Sequence, residues 1–163
     1  MTTHVSQHYD FSNPEAAYAD LARDLRALLA GERDLVANAA NTAALIWEAL
    51  PDLNWSGFYL NKSGELVLGP FQGKPACVRI AIGKGVCGTA AQRRETVLVE
   101  DVHAFPGHIA CDSASNSEIV LPLLRGAELL GVLDLDSPKH ARFKNVDARG
   151  LEQLARIFVE SLG

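Results

Sequence analysis

The first fifty residues alternate apolar and polar positions with the spacing of two amphipathic helices. Ser12-Asn13-Pro14-Glu15 supplies a capping side chain, an early proline and an acidic residue, so a helix is predicted from Pro14 to about Leu29. A second helix is predicted over residues 32–50, because Pro51 prevents its continuation. Its apolar stripe consists of Leu35, Ala39, Ala43, Ile46 and Leu50.

From Trp55 onward the pattern changes to the short alternating runs that are typical of β-strands. A short helix from about Val86 to Arg94 interrupts the strands, and a final helix begins near Asn145. That last helix carries one apolar face, formed by Leu151, Leu154, Phe158 and Leu162. The predicted strands cover residues 55–61, 65–68, 77–82, 96–100, 119–124 and 128–135.

A strand-rich middle with helices at both ends indicates an α+β fold. We expect a mainly antiparallel sheet of about six strands, with the N- and C-terminal helices packed on one face. The last predicted strand supports this arrangement, because Leu133 and Leu135 point to one face while Val132, Asp134 and Asp136 point to the other. One face is therefore expected to be core, and the other to have a different role.

Length and composition predict a single domain, since the chain has 163 residues of which 48% are hydrophobic. Within the domain 1–163, residues 1–12 are predicted to be flexible and 14–50 to hold the N-terminal helices. The sheet and the site are predicted in 54–138, and the C-terminal helix in 145–162.

Charge and hydropathy exclude several classes of partner. The N-terminus has neither a basic start nor an apolar run, and nowhere do about eighteen apolar residues follow one another. This predicts a cytoplasmic protein with no membrane partner. A formal net charge of −5 argues against nucleic-acid binding, which requires a basic surface.

Three cysteines, Cys77, Cys87 and Cys111, are the clearest chemical signal in the chain. Their odd number, their spacing and the lack of a Cys-x-x-Cys pair fit neither a disulfide framework nor a closed zinc site. Two interpretations remain open from the residues alone. The cysteines perform thiol redox chemistry, or they are small buried side chains of the core.

Acidic residues occur close to these cysteines in the predicted sheet. Asp134 and Asp136 share one strand face, and such a pair is stable when it is well solvated or when a ligand requires it. Two close carboxyls can share a proton, which leaves one anion and one general acid near neutral pH. Glu118 begins the neighbouring strand, and Cys111 lies in the loop before it. One wall is therefore expected to hold a thiol and three carboxylates.

Two other motifs are weaker. Residues 83–88 match G-x-G-x-x-G, but the following helix is short and no second βαβ half follows, so nucleotide binding is disfavoured. His103, His108 and Cys111, with Asp101, match no closed zinc pattern. We predict neither a metal nor a bound cofactor.

Five segments together closely resemble the free methionine-R-sulfoxide reductases, which are single GAF domains. The combination is specific, whereas any one segment alone is not. The segments are NWSGFYL (54–60), LGPFQGKPAC (68–77), GVCGTA (85–90), FPGHIACD with NSEIVLP (105–112 and 116–122) and GVLDLDSP (131–138).

The resemblance assigns roles to the candidate residues. It implies that Cys111 is the nucleophile, Cys77 the principal resolving thiol and Cys87 an alternative or auxiliary one. Trp55 is implied to be an apolar wall, and Tyr59 lies on the same strand face as a further substrate-binding candidate. The implied acidic pocket consists of Glu118, Asp134 and Asp136.

The resemblance also implies a reaction and its partners. Free methionine-R-sulfoxide would be reduced to methionine through a cysteine sulfenic acid and an intramolecular disulfide, as part of the response to oxidative stress. An external dithiol, thioredoxin, would reset the disulfide, and the protein would form a homodimer. The alternative is a non-catalytic GAF module that binds a small molecule or senses oxidants through its thiols.

Overall fold

The computed structural model describes residues 7–163 and begins with the two predicted helices. Helix α1 spans Pro14–Leu29 and α2 spans Leu35–Ala49. The side chain of Asn13 accepts a hydrogen bond from the amide of Ala16, which confirms the predicted cap of α1. Helix α2 begins three residues later than predicted, because the carboxylate of Asp34 accepts the amide of Ala37 at 2.8 Å.

Within residues 7–163 the sheet has six strands, all paired antiparallel in the order β3-β2-β1-β6-β5-β4. This confirms the predicted α+β fold. Helix α3 spans Gly85–Arg93, a 3₁₀ turn spans Val102–Ala104, and helix α4 spans Asn145–Ser161. The strands are β1 (Trp55–Lys62), β2 (Glu65–Gly73), β3 (Arg79–Ala81), β4 (Val97–Val99), β5 (Ser117–Arg125) and β6 (Glu128–Ser137).

Strand β2 is longer than predicted, and the strand after it is shorter. The sequence reads as a turn after Leu68, since Gly69-Pro70 follows, but a register shift opposite Gly57 and Tyr59 lets the strand continue to Gly73. The prediction of a strand from residue 77 is wrong at its start. Cys77 is held there by a disulfide bond, and the ladder begins at Arg79.

The two faces of the sheet carry different layers. Helices α1, α2 and α4 cover one face, where Phe58, Leu133 and Leu135 are buried among their side chains. Helix α3 lies on the other face, against Tyr59 and Val132. The alternation predicted for β6 is therefore confirmed, and Asp134 and Asp136 lie on the face that three of the four helices leave uncovered.

The segment before α1 is only partly described. Residues 1–6, half of the segment predicted to be flexible, lie outside the described residues. From residue 7 onward, the Tyr9 ring is buried and its hydroxyl donates a hydrogen bond to Asp24 at 2.8 Å. In the same described range, no helix is long and apolar enough to cross a membrane.

Gly150 is the position where α4 packs directly against the ring of Tyr18. A β-carbon at residue 150 would lie 2.2 Å from Cγ of Tyr18, whose buried hydroxyl donates to Asp147 at 2.7 Å and restricts any movement. We expect Gly150→Ala to lower the free energy of unfolding by about 1–2 kcal/mol, because overpacking outweighs the better helix propensity of alanine. Urea denaturation measures this, and an unchanged or higher midpoint would contradict it.

Candidate active site

The predicted site residues converge on a single cavity of the open sheet face. The cavity is closed at one side by the N-terminal turn of α3 and at another by the loop that contains Cys111. Among the predicted residues, those that line it are Trp55, Tyr59, Cys87, Cys111, Glu118, Asp134 and Asp136. Cys77 does not line the cavity itself but is bonded to Cys111, which does.

Strand register explains why three carboxyls meet. Glu118 of β5 pairs directly with Asp136 of β6, and Asp134 follows two residues earlier on the same face. Opposite Asp134 on β1 stands Gly57, where a β-carbon would lie 2.7 Å from the ring of Trp55. The same β-carbon would also overlap Phe71, so only glycine at this position leaves room for both the indole and Phe71.

An aromatic stack forms the apolar wall of the cavity. The ring of Trp55 stacks on Phe71 and on Tyr59, with centroid distances of 5.2 and 5.8 Å. The indole N–H donates to the carbonyl of Lys74 at 3.1 Å, and the Tyr59 hydroxyl donates to the carbonyl of Cys77 at 2.8 Å. Both aromatic side chains thus fix the segment that carries Cys77, in addition to lining the cavity.

The three cysteines occupy two different environments. Cys77 and Cys111 form a disulfide bond, with their Cα atoms 5.7 Å apart, and Cys111 is exposed. Cys87 is a buried free thiol whose Sγ lies 3.9 Å from Oε1 of Glu118 and donates to it. The structure therefore joins an exposed and a half-buried cysteine in the disulfide and places the third cysteine beside the acids.

Burial dominates the electrostatics of the acidic group. It raises the pKa of Glu118 well above its usual range, and the neighbouring charge of Asp134 adds to this effect. Burial also raises the pKa of Asp134, but a hydrogen bond with Glu118 opposes the increase. The pKa of Asp136 is raised well above its usual range by burial and then by Asp134. Hydrogen bonding opposes the increase at Asp134, so a proton shared within the group is favoured on Glu118 and the charge on Asp134, which suits a general acid beside an anion.

Cys87 responds to the same surroundings. Burial, followed by the charge of Asp134, raises the pKa of this thiol well above its usual range. Cys87 is consequently a neutral thiol that donates its hydrogen bond to Glu118. Its helix position explains this contact, since the first turn of α3 points across the sheet at β5 and β6.

The two weaker motifs are also placed by the structure. Residues 83–88 form a compact turn in which the amide of Gly83 donates to the carbonyl of Gly88 at 2.8 Å. A β-carbon at residue 88 would lie 2.4 Å from the carbonyl oxygen of Ala81, so these glycines permit close backbone packing. His103 bonds to Asn116 at 3.1 Å, and the sulfur of Cys111 is committed to the disulfide. A group that could hold a metal is formed instead by Cys87, Glu118 and Asp134, in the range 7–163.

Comparison with known proteins matches this geometry to a family. The model of the GAF domain matches residues 13–162. The free methionine-R-sulfoxide reductase of Escherichia coli is 58% identical, over 87% of this chain and 86% of that protein. The chain belongs to the GAF-domain family and, within it, to the free methionine-R-sulfoxide reductases.

More distant members of the reductase family agree with this assignment. The free methionine-R-sulfoxide reductase of Saccharomyces cerevisiae is 43% identical, over 97% of this chain and 94% of that protein. An X-ray structure of the Neisseria meningitidis reductase in complex with its substrate superposes with a TM-score of 0.92. The two sequences are 46% identical, and the match covers 98% of this chain and 96% of the Neisseria meningitidis chain. The family resemblance predicted from the sequence is thereby confirmed.

Some residues at the site were not predicted from the sequence. The side-chain amide of Asn54 donates to Asp112 at 3.3 Å and to Ser115 at 3.0 Å, so it connects the start of β1 to the Cys111 loop. Phe71 completes the aromatic stack. No periodicity marks these positions, because their partners are distant in sequence. The catalytic and binding roles of the predicted residues remain predictions.

Proposed function

We propose that this protein reduces free methionine-R-sulfoxide to methionine through a sulfenic acid on Cys111 and a disulfide with Cys77, which thioredoxin then reduces. Membership of the reductase family makes it an oxidoreductase that acts on methionine sulfoxide. The observation that carries the finer proposal is the Cys77–Cys111 disulfide, one end of which lines the same cavity as three carboxyl groups.

The cavity is suited to a free amino acid. Asp134 offers an anion to the α-ammonium group of the substrate, and its Oδ1 is buried without a hydrogen-bond partner among the described residues. A methionine sulfoxide within a peptide lacks that ammonium group and would leave this oxygen unpaired. The indole of Trp55 supplies an apolar surface for the thioether end.

The chemical steps balance with the groups in the cavity. Glu118 donates its proton to the sulfoxide oxygen, which makes the substrate sulfur electrophilic. Cys111 attacks that sulfur and its thiol proton returns to Glu118; the sulfur–oxygen bond of the substrate breaks and the hydroxyl passes to the Cys111 sulfur, so methionine leaves and Cys111 becomes a sulfenic acid. The Cys77 thiol attacks this sulfenic acid, a disulfide forms and water leaves. A dithiol then reduces the disulfide, and the oxidant has been converted to methionine and water.

Access supports an external dithiol as the final reductant. Cys111 is exposed in the disulfide state, whereas Cys87 lies among the carboxyls and is buried. A thioredoxin thiolate can therefore approach the Cys77–Cys111 bond from solvent without opening the core. No bound cofactor is required for this electron transfer, and Cys87 remains an auxiliary thiol.

A single-turnover experiment tests the proposed function. We expect the fully reduced protein, freed of excess reductant, to release about one methionine per chain from free methionine-R-sulfoxide. Mass spectrometry should then show the Cys77–Cys111 disulfide, and thioredoxin with its own reductase should restore turnover. The matched control is N-acetyl-methionine-R-sulfoxide, which lacks the ammonium group and should not react. No methionine from the free substrate would contradict the proposal and favour a GAF binding or sensor module.

The proposal also includes an oligomeric state and a cellular location. A homodimer is suggested by α2, on which two large apolar residues are exposed, Val36 at 59% and Trp47 at 38%. A cytoplasmic location, where thioredoxin keeps thiols reduced, fits the redox cycle.

A further inference from the structure

Three separate elements direct potential metal ligands to one point in the wall of the cavity. Cys87 comes from α3, Glu118 from β5 and Asp134 from β6. One ligand atom from each, a thiol sulfur and two carboxylate oxygens, lies within 4.8 Å of the other two. The residues are 4%, 7% and 5% exposed, so the group is built into the interior and is not a solvated surface cluster.

A second observation indicates that this group binds a cation. Oδ1 of Asp134 is buried and accepts no hydrogen bond within residues 7–163. Nearly all buried polar atoms have a partner, so an unpaired carboxylate oxygen that lines a cavity is a site for a positively charged ligand. The lysines that line the same cavity, Lys74 and Lys84, are both exposed and form no ion pair with it in the described structure.

The donor atoms discriminate between metal ions. Magnesium and calcium prefer oxygen ligands alone, whereas zinc binds thiolate and carboxylate together in tetrahedral geometry. In such a site neighbouring sulfur and oxygen ligands lie roughly 3.5 Å apart. Sγ of Cys87 and Oε1 of Glu118 are already 3.9 Å apart, so small side-chain rotations complete the geometry. All three residues line the cavity, so a fourth ligand can come from it.

We propose that Zn²⁺ binds to Cys87, Glu118 and Asp134 and thereby closes the cavity to the ammonium end of the substrate. Binding displaces the protons of the thiol and of the Glu118 carboxyl to solvent. The zinc site stands independently of the proposed function, while its inhibitory effect rests on it. Because Cys87 is outside the disulfide, the site keeps its sulfur ligand in the oxidised protein, in which no turnover occurs.

Metal titration of the oxidised protein tests the zinc site without any activity assay. The chain has three cysteines and two are in the disulfide, so a thiolate-to-metal charge-transfer band with Co²⁺ can arise only from Cys87. We expect this band to appear with Co²⁺ and to disappear when one equivalent of Zn²⁺ displaces it. Cys87→Ser should remove the band and weaken Zn²⁺ binding by at least roughly a hundredfold, beyond the loss typical of a residue outside the coordination shell.

Two further variants distinguish the proposed site from surface histidines. The isosteric Glu118→Gln should also weaken Zn²⁺ binding, and thermal denaturation verifies that it is folded. The double variant His103→Ala with His108→Ala should bind Zn²⁺ as the wild type does. Absence of the Co²⁺ band, or Zn²⁺ affinity that survives Cys87→Ser, would overturn the proposal. Methionine release is measured in a separate experiment. Failure of Zn²⁺ binding therefore does not count against the reductase activity, and failure of the activity does not count against Zn²⁺ binding.

Discussion

Replacing Cys111 by serine is expected to lower kcat for methionine release by at least about a thousandfold, as removal of a covalent nucleophile does in other enzymes. A serine hydroxyl is a much weaker nucleophile than a thiol and cannot enter the disulfide with Cys77. The substitution changes one exposed atom in a loop, so the fold and the acidic group should remain intact. Methionine release under steady-state conditions with thioredoxin measures the effect.

Matched variants separate loss of the nucleophile from loss of loop structure. Ser113→Ala alters an exposed neighbour in the same loop and should leave turnover unchanged. Cys77→Ser should still release methionine in the first turnover, because Cys111 remains able to attack, and then slow down when no resolving thiol follows. Equal activity of Cys111→Ser and wild type would show that the reaction uses another group.

Glu118→Gln is expected to lower kcat by roughly 10²–10⁴, the range for a general acid. Glutamine has the same shape as glutamic acid and still donates to Asp134, but it cannot transfer a proton to the sulfoxide oxygen. In the wild type, burial raises the pKa of Glu118 and so favours its protonated form. The rate should therefore fall as the pH rises through that raised value, and this dependence should be absent from the variant.

The same substitution should increase stability. Between the unfolded-state pKa of about 4.3 and its raised folded value, Glu118 binds more protons in the folded protein than in the unfolded chain. The stability linked to this proton is present at low pH and is lost as the pH rises through the folded pKa. Glutamine carries no charge at any pH, so we expect the variant to be more stable than the wild type at alkaline pH, by a difference that shrinks towards pH 4.

Both effects are measured on the same samples. Urea denaturation at pH 5, 7 and 9 gives the stability, and initial rates at the same values give kcat. Glu100→Gln, at an exposed glutamate, is the control and should change neither quantity. A Glu118→Gln protein with the activity of the wild type would show that Glu118 is not the proton donor. If it were also no more stable than the wild type, burial would not be what raises the pKa of Glu118.

Local chemistry explains how much of the fold could be predicted. Asn13 and Pro14 define the start of α1, and alternation in β6 places Asp134 on the open face, because both signals arise within a few residues. The extension of β2 past Gly69-Pro70 could not be predicted. It depends on a bulge that forms only when β1 is beside it.

The candidate site could likewise be predicted only in part. The cysteines and acids are recognisable by residue type, and strand order brings Glu118 opposite Asp136. The sequence does not reveal that Cys87 is buried among the acids while Cys111 is exposed, since both follow similar glycine-containing loops. It also cannot show the Asn54 contacts, which join segments about sixty residues apart and exist only in the folded chain.

The disulfide has a consequence for how long the protein survives in each redox state. It closes a ring across a sequence separation of 34 residues that includes all of α3. A ring of that size removes chain entropy worth about 4 kcal/mol from the unfolded state in the loop-closure description. The oxidised protein, whose disulfide has not yet been reduced, therefore unfolds less often than the reduced protein. A shortage of reductant would stop turnover and at the same time protect the stalled molecules from proteolysis until reducing power returns.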